Sequence, residues 1–140
     1  MWYYKSNRKA GGHVMYIGVD LGGTNIAIGI VSENGNILIQ GSTPTLKERP
    51  IDEIVADMAK LINKLCDDLG ISLNDIKGVG IGSPGSIDFE KGEVVYSNNL
   101  RMEHYPMADE LSKLINKPVK IDNDANCAAM GEYMISGEGV

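Results

Sequence analysis

A glycine-rich turn near the start of the chain has the residue types of a phosphate-binding site. The run Asp20-Leu21-Gly22-Gly23-Thr24-Asn25 stands between two apolar runs, residues 16–19 and 26–31, which predict antiparallel strands joined by a tight turn. Adjacent glycines leave the tip without side-chain bulk, so backbone N–H groups can approach an anion closely. The preceding acid can hold a water or a metal ion against that anion, and the threonine hydroxyl adds a hydrogen bond. An ordinary Gly-Gly hairpin is the alternative, and the flanking Asp and Thr favour phosphate.

A second candidate is the acidic run Asp122-Asn123-Asp124, which follows a short apolar stretch and precedes the helical pattern of residues 125–135. Asp124 as a helix N-cap is the plain interpretation. The functional interpretation is a general base for a hydroxyl group, in a cleft opposite the phosphate turn. The helix dipole keeps such a carboxylate ionised and therefore weakly basic. Phosphoryl transfer tolerates a weak base because its transition state is loose and the proton leaves late.

The run Gly80-Ile81-Gly82-Ser83-Pro84-Gly85 matches GxGxxG after a predicted strand. A dinucleotide-binding fingerprint requires a helix to open at its third glycine. Residues 86–92 have no helical pattern, so we reject that interpretation. A strand that ends in a Pro-Gly turn and a loop whose bare backbone lies against a sugar both stay open. The amides of Asn98-Asn99 suit sugar hydroxyls, and a plain turn is equally consistent with them.

The pattern along the chain predicts an α/β fold that brings these motifs together. We expect strands at about 15–20, 25–31, 36–42, 76–82, 94–96 and 119–121, and helices at 50–69, 106–115 and 125–135. Asn34-Gly35 predicts a two-residue turn, residues 83–93 a loop, and the charged residues of the first helix a solvated face. The order βββαβαβα predicts a mixed five-stranded sheet with flanking helices. Asp20, Ser83 and residues 122–124 fall at strand ends, where ligands gather in such sheets, so one cleft is expected.

Composition excludes several classes of protein. The 140 residues suit one domain, and 43% apolar content without a run of about twenty apolar residues predicts no membrane span. The net charge of −6 argues against a nucleic-acid partner, which would need a basic face. Cys66 and Cys127 are expected to be buried thiols in a reducing compartment, the cytoplasm. Neither cysteine belongs to a CxxC pair, so we predict no structural metal. Residues 1–14 carry three basic residues and no acid, and are expected to be a mobile, tag-like extension.

Four motifs in order resemble the ROK family, which holds bacterial glucokinases, other sugar kinases and sugar-responsive repressors. They are Asp20–Asn25, Gly82-Ser83-Pro84-Gly85, Asn99-Leu100 and Asn123-Asp124-Ala125-Asn126. The resemblance is strongest to glucokinase-like members and covers residues 15–140. It implies the actin-like ATPase (ribonuclease H-like) fold, of which the chain would be the amino-terminal lobe.

The resemblance also implies roles for individual residues. The residues implied in ATP binding are Asp20, Gly22, Gly23, Thr24 and Asn25, with Asp20 facing the magnesium of Mg-ATP. Gly85, Asn99, Asn123 and Asp124 would contact the sugar, and Asp124 would be the catalytic base. The implied activity is ATP-dependent phosphorylation of a hexose, with glucose at its 6-hydroxyl as the expected substrate, in glycolysis.

The sequence departs from the family pattern in length. It stops at Val140, at about half the expected length, and lacks the ExGH sugar-binding motif, the CxCGxxGC zinc motif and the loop that holds adenosine. We therefore expect the chain to be the first lobe alone, inactive by itself, and to form a homo-oligomer through apolar surface that a second lobe would cover. A non-catalytic sugar-sensing or regulatory lobe and a phosphatase-like or scaffold relative are the alternatives. A repressor is disfavoured because residues 1–14 cannot form a helix-turn-helix.

Overall fold

The protein forms two β-sheets and two α-helices in the computed structural model, which describes residues 14–88, 90–97, 100 and 102–123. In chain order the elements are β1 (Met15–Leu21), β2 (Asn25–Ser32), β3 (Ile37–Pro44), α1 (Ile51–Leu69), a 3₁₀ turn (Leu73–Asp75), β4 (Ile76–Ser83), β5 (Ser86–Asp88), β6 (Glu93–Ser97), β7 (Met102–Tyr105), α2 (Met107–Ile115) and β8 (Val119–Asn123).

The larger sheet has five strands in the order β3-β2-β1-β4-β8. β2 is antiparallel to both β1 and β3, whereas β4 is parallel to both β1 and β8. The predicted mixed five-stranded sheet is therefore confirmed. Because β1, β4 and β8 run in the same direction, their carboxyl ends meet at one edge of the sheet.

Both helices pack on one face of this sheet, and the main apolar core lies between them and the strands. Alternate residues of β1 are buried on that face, which is the period-two pattern of a half-covered strand. α1 buries one stripe at helical spacing and ends at Gly70, whose φ of 79° is the left-handed conformation of a helix C-cap. α2 ends in the same way at Asn116, with φ 57°. Both helix ends agree with the sequence pattern.

A second, three-stranded antiparallel sheet, β5-β6-β7, corrects the expectation for residues 83–105. The pattern predicts a loop over 83–93 and a strand only at 94–96, yet β5 and β7 pair with the two edges of β6. β5 has three residues and β7 has four, too few for their alternation to be recognised. Pairing with β6 supplies the backbone hydrogen bonds that stabilise them. The expected helix at 125–135 lies outside the described residues.

The connection between β2 and β3 also differs from the expectation. It comprises four residues, 33–36, instead of a two-residue turn, with Gly35 at φ 90°. The hydroxyl of buried Ser32 accepts hydrogen bonds from the amides of Asn34 and Asn36, at 3.3 and 3.2 Å. These side-chain bonds add to two backbone bonds of 2.9 Å, from the Ser32 N–H to the Asn36 carbonyl and from the Gly35 N–H to the Ser32 carbonyl. The Asn-Gly pattern does not reveal the side-chain bonds.

Two further observations bear on the expectations from composition. Cys66 is free and buried, as predicted, and burial raises the pKa of its thiol. Cys127 lies outside the described residues. Of the helices in the described part of the chain, none combines the length and apolar character needed to cross a membrane.

Candidate functional site

The turn between β1 and β2 presents backbone donors that the protein itself does not use. The Gly22 N–H closes the turn by donating to the Asn25 carbonyl at 3.0 Å. A Cβ at position 22 would lie 2.9 Å from that same oxygen, so a side chain there would force the turn to shift. The amides of Gly23 and Thr24 form no hydrogen bond to any of the described residues. Two N–H donors on a turn with little bulk are therefore available to an anion.

Asp20 occupies a position at which its carboxylate faces away from the helices. Its neighbours Val19 and Leu21 are buried beneath α1 and α2, so the side chain of Asp20 emerges on the opposite face of β1, where the residue is exposed. The carboxylate has no hydrogen-bond or ion-pair partner within the described part of the chain. An uncommitted carboxylate beside an anion-binding turn has the chemistry that a hard cation such as Mg²⁺ requires.

Strand register places Asp20 in one row with the end of β8. Asp20 pairs with Gly82 of β4, and Gly82 pairs with Asp122 of β8. At the usual spacing of neighbouring strands, the Cα atoms of Asp20 and Asp122 are about 10 Å apart. Gly82, between them, contributes no side chain to fill the interval. The backbone positions of the two acidic residues therefore lie in one row, two strands apart.

Three candidate segments leave the sheet from the same edge. β1 ends at Leu21, β4 at Ser83 and β8 at Asn123, and these strands are parallel. The glycine turn, the Pro84-Gly85 turn and the chain after Asn123 thus begin at one edge. Asp124 lies outside the described residues, and for Asp122 and Asn123 the structure describes the backbone alone.

Gly85 is packed directly against the strand that leads to the paired asparagines. Its φ is 101°, and a Cβ would lie 2.2 Å from the carbonyl oxygen of Tyr96 and 3.0 Å from Cβ of Ser97. The hydroxyl of buried Ser97 accepts a hydrogen bond from the Leu100 amide at 3.4 Å, across residues 98–99. The structure therefore brings Gly85 next to the segment that contains Asn99, which is itself outside the described residues.

The small sheet that carries these segments is tied to α1 by a hydrogen bond between side chains. The Tyr105 hydroxyl, on β7, donates to Asp52 Oδ1 in the first turn of α1 at 2.6 Å. Burial and this hydrogen bond to a carboxylate raise the pKa of Tyr105 well above its usual value. The tyrosine is therefore neutral through the physiological range and remains a donor.

A cluster behind the glycine turn is not predicted by the sequence pattern. It consists of Thr45, Arg49 and Asp57, called here the Thr45 cluster. Thr45 is fully buried and bonded to the turn, and Arg49 pairs with Asp57 of α1 at 2.8 Å. Asp57 is only 27% exposed, so the expectation that the charges of this helix form a purely solvated face is wrong at this position. Residues 44–49 have no periodicity, so the sequence carries no indication that Arg49 folds back onto α1.

Comparisons with known proteins find a family and relatives that match most of this chain. Residues 16–139 match the model of the ROK family. The chain is 43% identical over 117 residues to a glucokinase of Thermotoga maritima, which covers 83% of this chain and 35% of that protein. It is 35% identical over 120 residues to an N-acetyl-D-glucosamine kinase of Yersinia pestis, covering 84% of this chain and 44% of that protein.

A solved structure gives the same result for the fold. The ROK family glucokinase of Streptomyces griseus, determined in complex with glucose and AMPPNP, superimposes with a TM-score of 0.75 at 35% identity, over 90% of this chain and 38% of that one. ROK sugar kinases have the actin-like ATPase fold, so the predicted fold class is confirmed. The chain spans about a third of the length of the curated glucokinases it matches.

Proposed function

The chain belongs to the ROK family, and from that premise we propose that residues 15–140 are the amino-terminal lobe of an ATP-dependent hexose kinase. One observation carries the proposal: the glycine turn and the end of β8 leave the same edge of the sheet, two strands apart. The sequence motifs for phosphate and for a general base stand at these two places. Residues 1–14 are proposed to be an extension outside the lobe.

The glycine turn would bind the phosphates of ATP. The free amides of Gly23 and Thr24 are donors for phosphate oxygens, and the Thr24 hydroxyl and Asn25 amide stand beside them. Asp20 would hold Mg²⁺ against the same oxygens, for which its uncommitted carboxylate is suited. Mg-ATP supplies the transferred phosphoryl group, and the chain supplies donors fixed in position before the nucleotide arrives.

The residues after β8 and around Gly85 would bind the sugar. Asp124 would accept the proton from the attacking hydroxyl, and Gly85, Asn99 and Asn123 would orient the ring. The base would lie just beyond the end of β8 and the turn just beyond the end of β1, two strands apart at one edge of the sheet, so that a hydroxyl and a phosphoryl group could meet between them. Positioning and charge stabilisation account for most of phosphoryl-transfer catalysis, so this arrangement needs no covalent step on the protein.

Glucose, attacked through its 6-hydroxyl, is the proposed substrate. The glucokinases among its relatives are 35–43% identical to the chain and the N-acetyl-D-glucosamine kinase is 35% identical, so the choice of glucose rests on the 43% match. Glycolysis as the process, the cytoplasm as the compartment and a homo-oligomer as the assembly belong to the same proposal. The chain by itself is proposed to be inactive, because closure of a second lobe would complete the site and exclude water.

The proposal is tested by joining residues 15–140 to the downstream part of Thermotoga maritima glucokinase and measuring glucose phosphorylation with a coupled dehydrogenase assay. We expect turnover from the fusion and none from the 140-residue chain. Asp124→Asn should lower kcat of the fusion by about 10²- to 10⁴-fold, the usual loss on removing a general base.

The control is Asp67→Asn, which removes an exposed carboxylate from α1 and should leave kcat unchanged. Near-normal turnover in Asp124→Asn would rule out its role as base. A fusion that melts cooperatively but phosphorylates no hexose would contradict the kinase proposal.

A further inference from the structure

A buried threonine directly after β3 holds two backbone carbonyls of the glycine turn. Thr45 is 0% exposed. Its backbone N–H donates to the Thr24 carbonyl at 2.9 Å, and its Oγ1 donates to the Gly22 carbonyl at 2.8 Å. The two carbonyls lie on either side of Gly23, so one residue fixes both ends of the segment that carries the free amides.

Thr45 is itself held by an arginine and an acid. Its carbonyl accepts hydrogen bonds from Arg49 Nε at 3.1 Å and Nη2 at 2.8 Å. The same Nη2 lies 2.8 Å from Asp57 Oδ2, and the two side chains are only 19% and 27% exposed, so solvent and salt screen this pair less than a surface pair. Asp57 precedes fully buried Met58 in α1. The cluster therefore links the turn to a helix that is anchored in the core.

The hydrogen bond to Gly22 determines where the next amide points. A trans peptide unit directs its C=O and its N–H in opposite directions, and no described peptide bond is cis. Because the Gly22 carbonyl points at Thr45, the Gly23 N–H of the same unit points away from Thr45. We propose that Thr45 is a positioning residue that aims this amide at a phosphate oxygen of the nucleotide, and that Arg49 and Asp57 keep Thr45 in place. The role rests on the proposed function, because it assumes that the turn binds phosphate.

Such a role has a physical advantage for a glycine turn. Two adjacent glycines admit many backbone conformations, and a donor that must first be ordered binds an anion more weakly than one held in place. Thr45 restricts this freedom from the side opposite the ligand. Its effect should therefore appear in nucleotide binding and in the mobility of the turn, with little effect on distant parts of the fold.

The test uses the 140-residue chain labelled with ¹⁵N and titrated with Mg-ATP, with amide shifts of residues 22–25 giving the Kd. Hydrogen exchange of the Gly22 amide, without nucleotide, reports how firmly the turn is held. Thr45→Val keeps the shape and removes the hydroxyl donor, and Thr45→Ser restores it. Asp57→Asn weakens the support from α1. Asp68→Asn is its matched control, since it weakens the ion pair of Lys64 and Asp68 on the same helix, away from the turn.

We expect Thr45→Val to weaken Mg-ATP binding by about fivefold, the factor that corresponds to one neutral hydrogen bond, and to speed exchange of the Gly22 amide by a similar factor. For Thr45→Ser, the Kd and the exchange rate should stay within about twofold of wild type. Both quantities for Asp57→Asn should lie between those of Thr45→Ser and Thr45→Val, and Asp68→Asn should change neither. This ordering would support the positioning role.

A folded Thr45→Val chain with wild-type Kd and wild-type exchange overturns the inference. If Thr45→Val does not fold, the test uses Asp57→Asn. A Kd and an exchange rate equal to those of Asp68→Asn then overturn the inference. If the turn amides of the wild-type chain do not respond to Mg-ATP, the titration is repeated on the fusion with the downstream glucokinase part. No response there contradicts the proposed function, and the positioning role falls with it. The two failures are distinguishable because the first leaves wild-type nucleotide binding intact.

Discussion

Replacing Gly85 by alanine should destabilise the junction between the two sheets. Gly85 stands between β4 and β5 with φ 101°, a backbone conformation that residues with a side chain rarely adopt. A Cβ there would lie 2.2 Å from the Tyr96 carbonyl oxygen, whereas ordinary contacts begin near 3.4 Å. The obstructing atom belongs to the backbone of β6 and cannot rotate away as a side chain could. Either β5 or β6 must therefore move by about 1 Å.

The magnitude follows from two separate costs. Holding a non-glycine residue in a sparsely populated backbone region costs about 1–3 kcal/mol. Forcing an extra methyl group into a packed site costs about 1–3 kcal/mol more. We expect Gly85→Ala to lower the free energy of unfolding by about 2–6 kcal/mol, a large share of the stability of an ordinary domain. The shift would also move the segment that carries Asn99, so sugar binding by the fusion should weaken in the same variant.

Urea denaturation of the 140-residue chain, followed by circular dichroism, measures the first effect. Gly18→Ala is the matched control: this glycine lies in β1, outside the left-handed region, and a Cβ there meets nothing within 4 Å. The control should change stability by less than about 1 kcal/mol, in the stabilising direction if at all. Equal unfolding free energies for the two variants would refute the close packing of Gly85 on β6.

Two further predictions concern stability. Folding raises the pKa of Tyr105, so the stability that this group contributes is complete below the unfolded pKa of 10.0 and is lost as the pH rises toward the folded pKa. The wild-type protein should therefore lose stability above about pH 10 more steeply than Tyr105→Phe. The urea midpoints of wild type and Tyr105→Phe should diverge between about pH 9 and about pH 11. Parallel changes in the two proteins would contradict the raised pKa of Tyr105. Ile62 is fully buried in α1, and Ile62→Ala should lower the free energy of unfolding, measured in urea, by about 2–5 kcal/mol. Leu114 is 54% exposed on α2, and Leu114→Ala should lower it by less than about 0.5 kcal/mol. Similar losses in the two variants would argue against the described packing.

The parts of the fold that could be predicted are those with long, regular apolar patterns. Alternation along β1 and helical spacing along α1 each extend over the whole element, so their identity and their ends are evident in the sequence. Gly70 and Asn116 mark helix ends because both adopt left-handed conformations. β5 and β7 could not be predicted, because their conformation depends on pairing with β6 and not on their own few residues.

The candidate site also has a part that the sequence predicts and a part that it does not. The residue types of the glycine turn indicate phosphate chemistry from sequence alone, since the pattern is local. The Thr45 cluster could not be predicted, because its bonds join residues 21 to 23 positions apart in the chain and depend on the path of the connection after β3. The alignment of Asp20 with Gly82 could not be predicted from the sequence either, because packing sets the register between parallel strands.

That dependence on register ties the site to the apolar core. Ile17 and Val19 of β1 stand opposite Val79 and Ile81 of β4, and all four are buried against the helices. A slip of one residue between these strands would expose this apolar set or turn Asp20 toward the helices, where an unpaired carboxylate is costly. The core therefore disfavours a one-residue slip and keeps Asp20 on the open side of the sheet, where the observed register sets it level with Gly82. A core substitution that loosens this register should impair phosphate binding before it unfolds the chain.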